Sequence, residues 1–169
     1  AQGEKQAELL AKGLATIHFD AVYASDLKRA VKTARLALGR VKIIKLKDLR
    51  EMNFGVMEGL SHEQILKKYA GPYKKWLKEP FKKHEIPEAE HMADFKKRIT
   101  RALKLIVRNN RGKTVAVVCH GGTISVLLTS LLERKGFWQN VPGSTSVSII
   151  EYINNKPVLK LFNCTKHLR

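Results

Sequence analysis

The sequence predicts an α/β protein, a three-layer α/β/α sandwich around a mostly parallel mixed sheet. Three observations carry this. Segments with apolar residues at helical spacing alternate with short β-like runs through most of the chain, the pattern that yields parallel strands and crossover helices. The run Thr114-Val115-Ala116-Val117-Val118 is too uniformly apolar for a half-exposed strand and reads as a central one covered on both faces. Late in the chain, 146–152 and 158–162 are β-like runs joined by Asn154-Asn155-Lys156-Pro157, a hairpin that adds antiparallel pairing.

Taken in order, Ala7, Leu10, Ala11 and Leu14 give a helix over 4–15, followed by a strand at Ala21-Val22-Tyr23-Ala24. Ser25-Asp26 offers N-caps to a second helix with the stripe Leu27, Ala30, Val31, Ala34 and Leu38, stopped by Gly39. A strand is expected around 41–46. Ser61 is expected to cap a helix over 61–69 in a capping-box arrangement closed by a glutamate. Residues 71–91 hold Pro72, Pro80 and Pro87 among aromatics and lysines, and read as an excursion or lid without a regular element. Within it, Tyr73, Trp76 and Phe81 wall either a substrate pocket or the excursion's own core. Helices over 92–108 and 123–133 flank the 114–118 strand. No repeat and no composition shift divides the chain, so residues 1–169 are expected to form a single domain.

With 169 residues, 44% hydrophobic and 28% charged, the chain can bury a real core. No apolar run reaches the roughly 18 to 20 residues of a membrane span, and AQGEKQAELL lacks the features of a signal peptide, so a cytoplasmic protein without a membrane partner is expected. Cys119 and Cys164 fit no CxxC or zinc spacing, which points to a reducing compartment and no structural metal, and no cofactor is expected. The excess of 32 Lys+Arg over 15 Asp+Glu, a net charge of +17, favours anionic ligands: phosphate esters or nucleic acid. Nucleic acid is disfavoured, because the lysines fall in pairs (67-68, 74-75, 82-83, 96-97) beside helical apolar positions, as on solvated helix faces.

Three stretches could carry chemistry. Val118-Cys119-His120-Gly121-Gly122-Thr123 places a histidine and two glycines where a buried strand gives way to a helix N-terminus, a position that favours a phosphoryl dianion beside His120. A protonated His120 would add charge there and a neutral one could relay a proton; the residues leave both open. Cys119 ends an apolar strand and reads as structural. In Tyr23–Ala30 a helix begins with Lys28 and Arg29, cations that oppose the helix dipole unless an anion sits nearby, and the planar fork of Arg29 suits phosphate better than Lys28 does. Leu49–Gly59 has no clear period and reads as a functional loop in which Glu51 and Glu58 are equal candidates for the acid that protonates a leaving alkoxide.

Together, SDLKRAVKTA, LREMNFGVMEGL, VAVVCHGG and the closing SVSIIEY with FNCTKHL resemble the histidine phosphatase superfamily, the phosphoglycerate-mutase-like proteins, in order along residues 1–169. The resemblance implies a phosphoglycerate-mutase-like fold. It implies that Arg29 and His120 bind the phosphoryl group, with Gly121 offering its backbone N–H, and that Glu51, in the E-x-x-F/Y-G pattern, is the proton donor. Catalytic roles then fall to His120, Glu51 and Arg29, phosphate contacts to Arg29, His120 and Gly121.

The family's nucleophile is the histidine of an Arg-His-Gly tripeptide at the end of a first strand, and the sequence contains no such tripeptide. AQGEKQAELLAKGL resembles the helix after that strand, so the first strand is expected to be absent, with about 20 to 30 residues of strand and loop preceding residue 1. None of His18, His62, His84, His91, His120 and His167 stands in the nucleophile's context, and residues 1–169 are expected to be inactive alone. A second departure is Glu88-Ala89-Glu90-His91-Met92, where relatives carry a Gly-Glu-Ser-like stretch. The expected function is a phosphomonoesterase acting on a small phosphorylated substrate through a phosphohistidine. The alternatives are a bisphosphoglycerate-dependent phosphoglycerate mutase and a non-catalytic phosphate- or nucleic-acid-binding relative. A homodimer is left open.

Overall fold

The computed structural model describes residues 2–83 and 85–169, so His84 lies outside the described residues. Helix α1 (Gln2–Leu14) leads to strand β1 (Ala21–Ser25), and helix α2 (Lys28–Leu38) to strand β2 (Ile43–Leu46). Short 3-10 turns at Lys47–Leu49 and Gly55–Met57 bracket the next loop, before helices α3 (His62–Lys78) and α4 (Met92–Asn109). Strand β3 (Val115–Val118), helix α5 (Gly121–Leu131) and strands β4 (Val147–Ile153) and β5 (Lys156–Cys164) follow.

The parallel sheet has the order β2-β1-β3, with Tyr23 beside Ile44 on one neighbour and Val117 on the other. Side chains alternate across its faces. Tyr23, Val115 and Val117 pack with Leu49 against Ala102 and Ile106 of α4. Val22 and Ala24, also buried, point to the opposite face, where α2 packs and in turn carries α1. Helix α5 lies against α4, and Met52, Phe95, Ile99, Val126, Leu127 and Phe137 fill the space between them. The α/β layering thus follows the sequence expectation. None of the described helices is long and apolar enough to cross a membrane.

Several local expectations are corrected. Among the described residues the hairpin pairs only with itself, as a two-stranded sheet apart from the three parallel strands. Its turn is tighter than expected: Asn154 (φ 51°) and Asn155 (φ 62°) take the two left-handed positions of a hairpin turn, which asparagine tolerates. Strand β3 is not central among the described residues; it pairs with β1 alone, and all four of its residues are half-buried because no described strand covers its other edge. Helix α3 runs through to Lys78, well into the segment expected to be irregular. It kinks at Tyr69 (φ −134°, ψ 30°), which places Pro72 in the first turn beyond the kink, where a missing N–H costs nothing. Trp76 is buried with Met57 and Ile86 in a small core of its own, whereas Phe81 is exposed. Ser61 does form a capping box, closed by Gln64 and not by a glutamate. Neither Ser25 nor Asp26 is the N-cap of α2; Leu27 takes that position without a side-chain cap.

Helix α4 ties the sheet to the loop before α3. Its buried stripe Phe95, Ile99, Ala102 and Ile106 fixes its rotation, which aims Arg98 at residues 48–51. Arg98 Nε and Nη2 donate to the Glu90 carboxylate at 2.6 and 2.7 Å. Nη1 donates to the carbonyls of Asp48 (2.9 Å) and Arg50 (2.8 Å), and Nη2 to that of Glu51 (3.0 Å). Both charged side chains are only 17% exposed, so removing one leaves the other's charge unpaired away from water. Arg98→Met is expected to lower stability by about 3 kcal/mol. Arg101→Met, which breaks the exposed pair with Asp48, should cost less than about 1 kcal/mol. Urea unfolding of the two variants beside the parent checks the contrast.

Candidate active site

Strands β1 and β3 end side by side, and α5 starts at the end of β3, so one rim of the sheet gathers two strand termini and a helix N-terminus. His120 is the N-cap residue of α5 in extended conformation (φ −126°, ψ 163°) and makes no side-chain cap bond, which leaves its ring to the end of β1. There His120 Nε2 lies 2.8 Å from Ser25 Oγ. On the other side of the ring Nδ1 accepts from Arg29 Nε at 3.3 Å. Arg29 belongs to the first turn of α2 and is exposed, so its remaining donors are open to an incoming anion.

Glu51 arrives from the loop that Arg98 holds. Its Oε2 accepts from Gly122 N (2.9 Å), in the first turn of α5, and its Oε1 from Met52 N (3.0 Å). The approach requires a glycine: a Cβ on residue 122 would lie 2.5 Å from Glu51 Oε1. Thr123 Oγ1 donates to the Arg50 carbonyl (3.2 Å), and Arg50 makes a two-pronged ion pair with Asp26 (2.6 and 2.7 Å), fastening the loop to α5 and to the end of β1. That guanidinium holds the Asp26 carboxyl below the usual carboxylate range.

Of the residues singled out in the sequence, Arg29 and His120 are in direct contact, and Glu51 binds two residues beyond His120. Glu58 does not join them; its Oε1 accepts from Phe54 N (2.8 Å) and closes its own loop. Gly121 sits between His120 and Gly122, where a Cβ would meet Val141 Cγ1 at 3.0 Å. Sequence reasoning missed Ser25 as a partner of His120, Gly122 as the seat of Glu51, and Arg98. The second glycine of the HGG run was a legible sign of close approach; the other two carried no sign.

Burial pushes the His120 imidazole down to about 4, with the Arg29 and Arg98 guanidiniums adding to the effect, so the ring is neutral at pH 7. Cys119 is half-buried as a residue, but it packs against the Tyr23–Leu49–Ala102–Ile106 cluster, and burial pushes its thiol up to about 12. It remains a thiol, as a structural residue would. Among the described residues no group of three or more His, Cys, Asp or Glu is placed to hold a metal ion.

Residues 1–165 match the sequence profile of the histidine phosphatase superfamily (branch 1). The chain belongs to this family. It is 31% identical over 172 residues to phosphoserine phosphatase 1 of Hydrogenobacter thermophilus, covering 99% of this chain and 81% of that protein. Among solved structures it superposes on the α-ribazole phosphatase of Shigella flexneri with a TM-score of 0.85 at 27% identity, covering 98% of this chain and 83% of that one. Bacillus stearothermophilus YhfR gives a TM-score of 0.90 at 25% identity, with 98% and 84% covered. The fold of this histidine phosphatase domain is therefore phosphoglycerate-mutase-like.

Two expectations follow for the domain. Gly122→Ala should expel the Glu51 carboxylate, at a net cost of about 1 to 2 kcal/mol although alanine is the better helix former by about 1 kcal/mol. The amide proton of residue 122 should lose its hydrogen-bonded shift in NMR spectra. The second concerns pH. Because the folded value of His120, about 4, lies below the ordinary 6.5, the unfolded chain takes up that proton first as pH falls. The ring's contribution to stability is complete above about pH 6.5 and is lost as pH drops toward 4. Urea unfolding across that window should show a shallower fall for His120→Gln than for the parent.

Proposed function

We propose that this chain carries the phosphate-binding and proton-donating groups of a phosphomonoesterase acting on small phosphorylated metabolites. The observation that carries the reading is the contact of Arg29 with His120 beside the α5 N-terminus, with a carboxylate seated two residues on. Arg29 and His120 grip the phosphoryl oxygens, the Gly121 N–H adds a donor, and the helix dipole favours the dianion. Glu51, once protonated, delivers its proton to the departing alkoxide. The relatives named for phosphoserine and α-ribazole support a small phosphorylated substrate.

The family's chemistry passes through a phosphohistidine, in which one histidine attacks phosphorus and water later releases phosphate. His120 is a poor candidate for that nucleophile, because both its ring nitrogens are engaged, by Ser25 and Arg29. Elsewhere, His62 bonds Tyr73, His91 is the N-cap residue of α4 and His167 packs by Gly13 of α1. On this reading the attacking histidine is not among these four described histidines, and residues 1–169 bind phosphate without turning over esters.

Two assays on residues 1–169 test this. Calorimetry should detect inorganic phosphate binding that Arg29→Ala and His120→Ala each weaken by about tenfold or more. No p-nitrophenol should be released from p-nitrophenyl phosphate. Binding indifferent to both substitutions would refute the phosphate site; turnover abolished by His120→Ala would place the nucleophile within the chain.

A further inference from the structure

We propose that Ser25 is a positioning residue that fixes the tautomer of His120, and that an oxyanion bound beside Arg29 draws a proton onto His120 Nδ1. The inference rests on the reading of Arg29 and His120 as phosphate ligands and adds to it the protonation state in which the ring works.

The tautomer follows from the donors. A guanidinium N–H only donates, so the bond from Arg29 Nε requires a bare lone pair on His120 Nδ1. The proton of the neutral ring then sits on Nε2 and is donated to Ser25 Oγ, 2.8 Å away. Ser25 Oγ also accepts from Leu27 N at 3.3 Å, so two donors converge on that oxygen. The serine is fully buried and the histidine 8% exposed, so water does not readily replace a lost partner there. Ser25 thereby holds the Nε2 end of the ring and supports the tautomer whose bare Nδ1 faces Arg29.

An arriving dianion accepts from Arg29 and brings an oxygen toward Nδ1. Two lone pairs then face each other unless a proton lies between them. The charged groups acting on the ring are Arg29 from α2 and Arg98 from α4, and both disfavour the imidazolium while the site is empty of anion. A dianion reverses that balance by direct attraction. With Nε2–H already held by Ser25, the proton for Nδ1 comes from solvent, and the imidazolium donates from both nitrogens, to serine and to the anion. The competing route is a tautomer switch, in which Ser25 turns to donate to Nε2 and no proton is taken up.

The experiment uses residues 1–169 with sulfate as the probe, because sulfate remains a dianion and adds no titration of its own. Nitrogen-15 spectra of the His120 ring should show protonated Nε2 and bare Nδ1 in the free protein. Ser25→Ala should mix or invert the tautomers and weaken sulfate binding about tenfold, and Ser25→Thr should restore both. At about pH 6, above the free ring's value of about 4, saturating sulfate should protonate both nitrogens. Calorimetry in buffers of different ionisation enthalpy should then report uptake approaching one proton per sulfate, and none for His120→Gln. A free ring protonated on Nδ1, or an Ala variant with the parent's tautomer, overturns the role of Ser25. Sulfate binding without proton uptake overturns the second half in favour of the tautomer switch. Absence of sulfate binding refutes the phosphate-site reading and the proton uptake together, while the free-ring spectrum still judges Ser25.

Discussion

Arg98 commits its guanidinium to one carboxylate and three backbone carbonyls, and the placement of Glu51 beside the start of α5 depends on that commitment. The carbonyls of Asp48, Arg50 and Glu51 belong to a loop with no ladder to hold it, and Arg98 supplies the donors that fix it. A planar fork serves several of them at once, which a lysine ammonium does not. The chain of cause begins in the apolar spacing of α4. Phe95, Ile99 and Ala102 turn the helix so that Arg98 faces the loop, its guanidinium resting 4.7 Å from the Phe95 ring. Arg98 fixes the backbone of Glu51, and that backbone lets the carboxylate reach Gly122 N.

The same arginine takes part in the electrostatics of the rim. Arg29 and Arg98 surround a ring that burial already keeps uncharged, and the N-terminus of α5 adds its partial positive charge. The chain as a whole carries +17. An anion entering this rim meets cations whose mutual repulsion it relieves, whereas the carboxylates of Glu51 and Asp26 are already engaged, the first by two backbone donors and the second by Arg50. On the proposed reading, the attraction of an anion to the rim therefore comes from fixed groups and does not require His120 to be charged beforehand.

Much of this was legible in the sequence. A strand-to-helix junction with His120 and two glycines, and a helix opening on Lys28 and Arg29, located two walls of the site, because strand ends and helix starts leave local marks. The choice between the two glutamates was not legible from spacing. Glu51 and Glu58 lie in one loop without a clear period, and the direction of Glu51 depends on a clasp from Arg98, 47 residues away. Ser25 read as a helix cap because capping is the local use of a serine there; its bond to a histidine 95 residues on is a product of β1 lying beside β3. The kink at Tyr69 likewise hid the second half of α3, since proline marks a helix end and a helix start with the same letter.

The reading of Val115–Val118 as a central strand failed in an instructive way. Uniform apolarity reports how much covering a strand needs, and β3 has less than it needs: one strand neighbour among the described residues and four half-buried positions. An apolar strand with an open edge invites another strand. A strand added there in parallel would run as β1 and β3 do and would end at the same rim, on the side of His120 away from β1. An attacking histidine at that terminus would face a phosphoryl group held between Arg29, His120 and the start of α5.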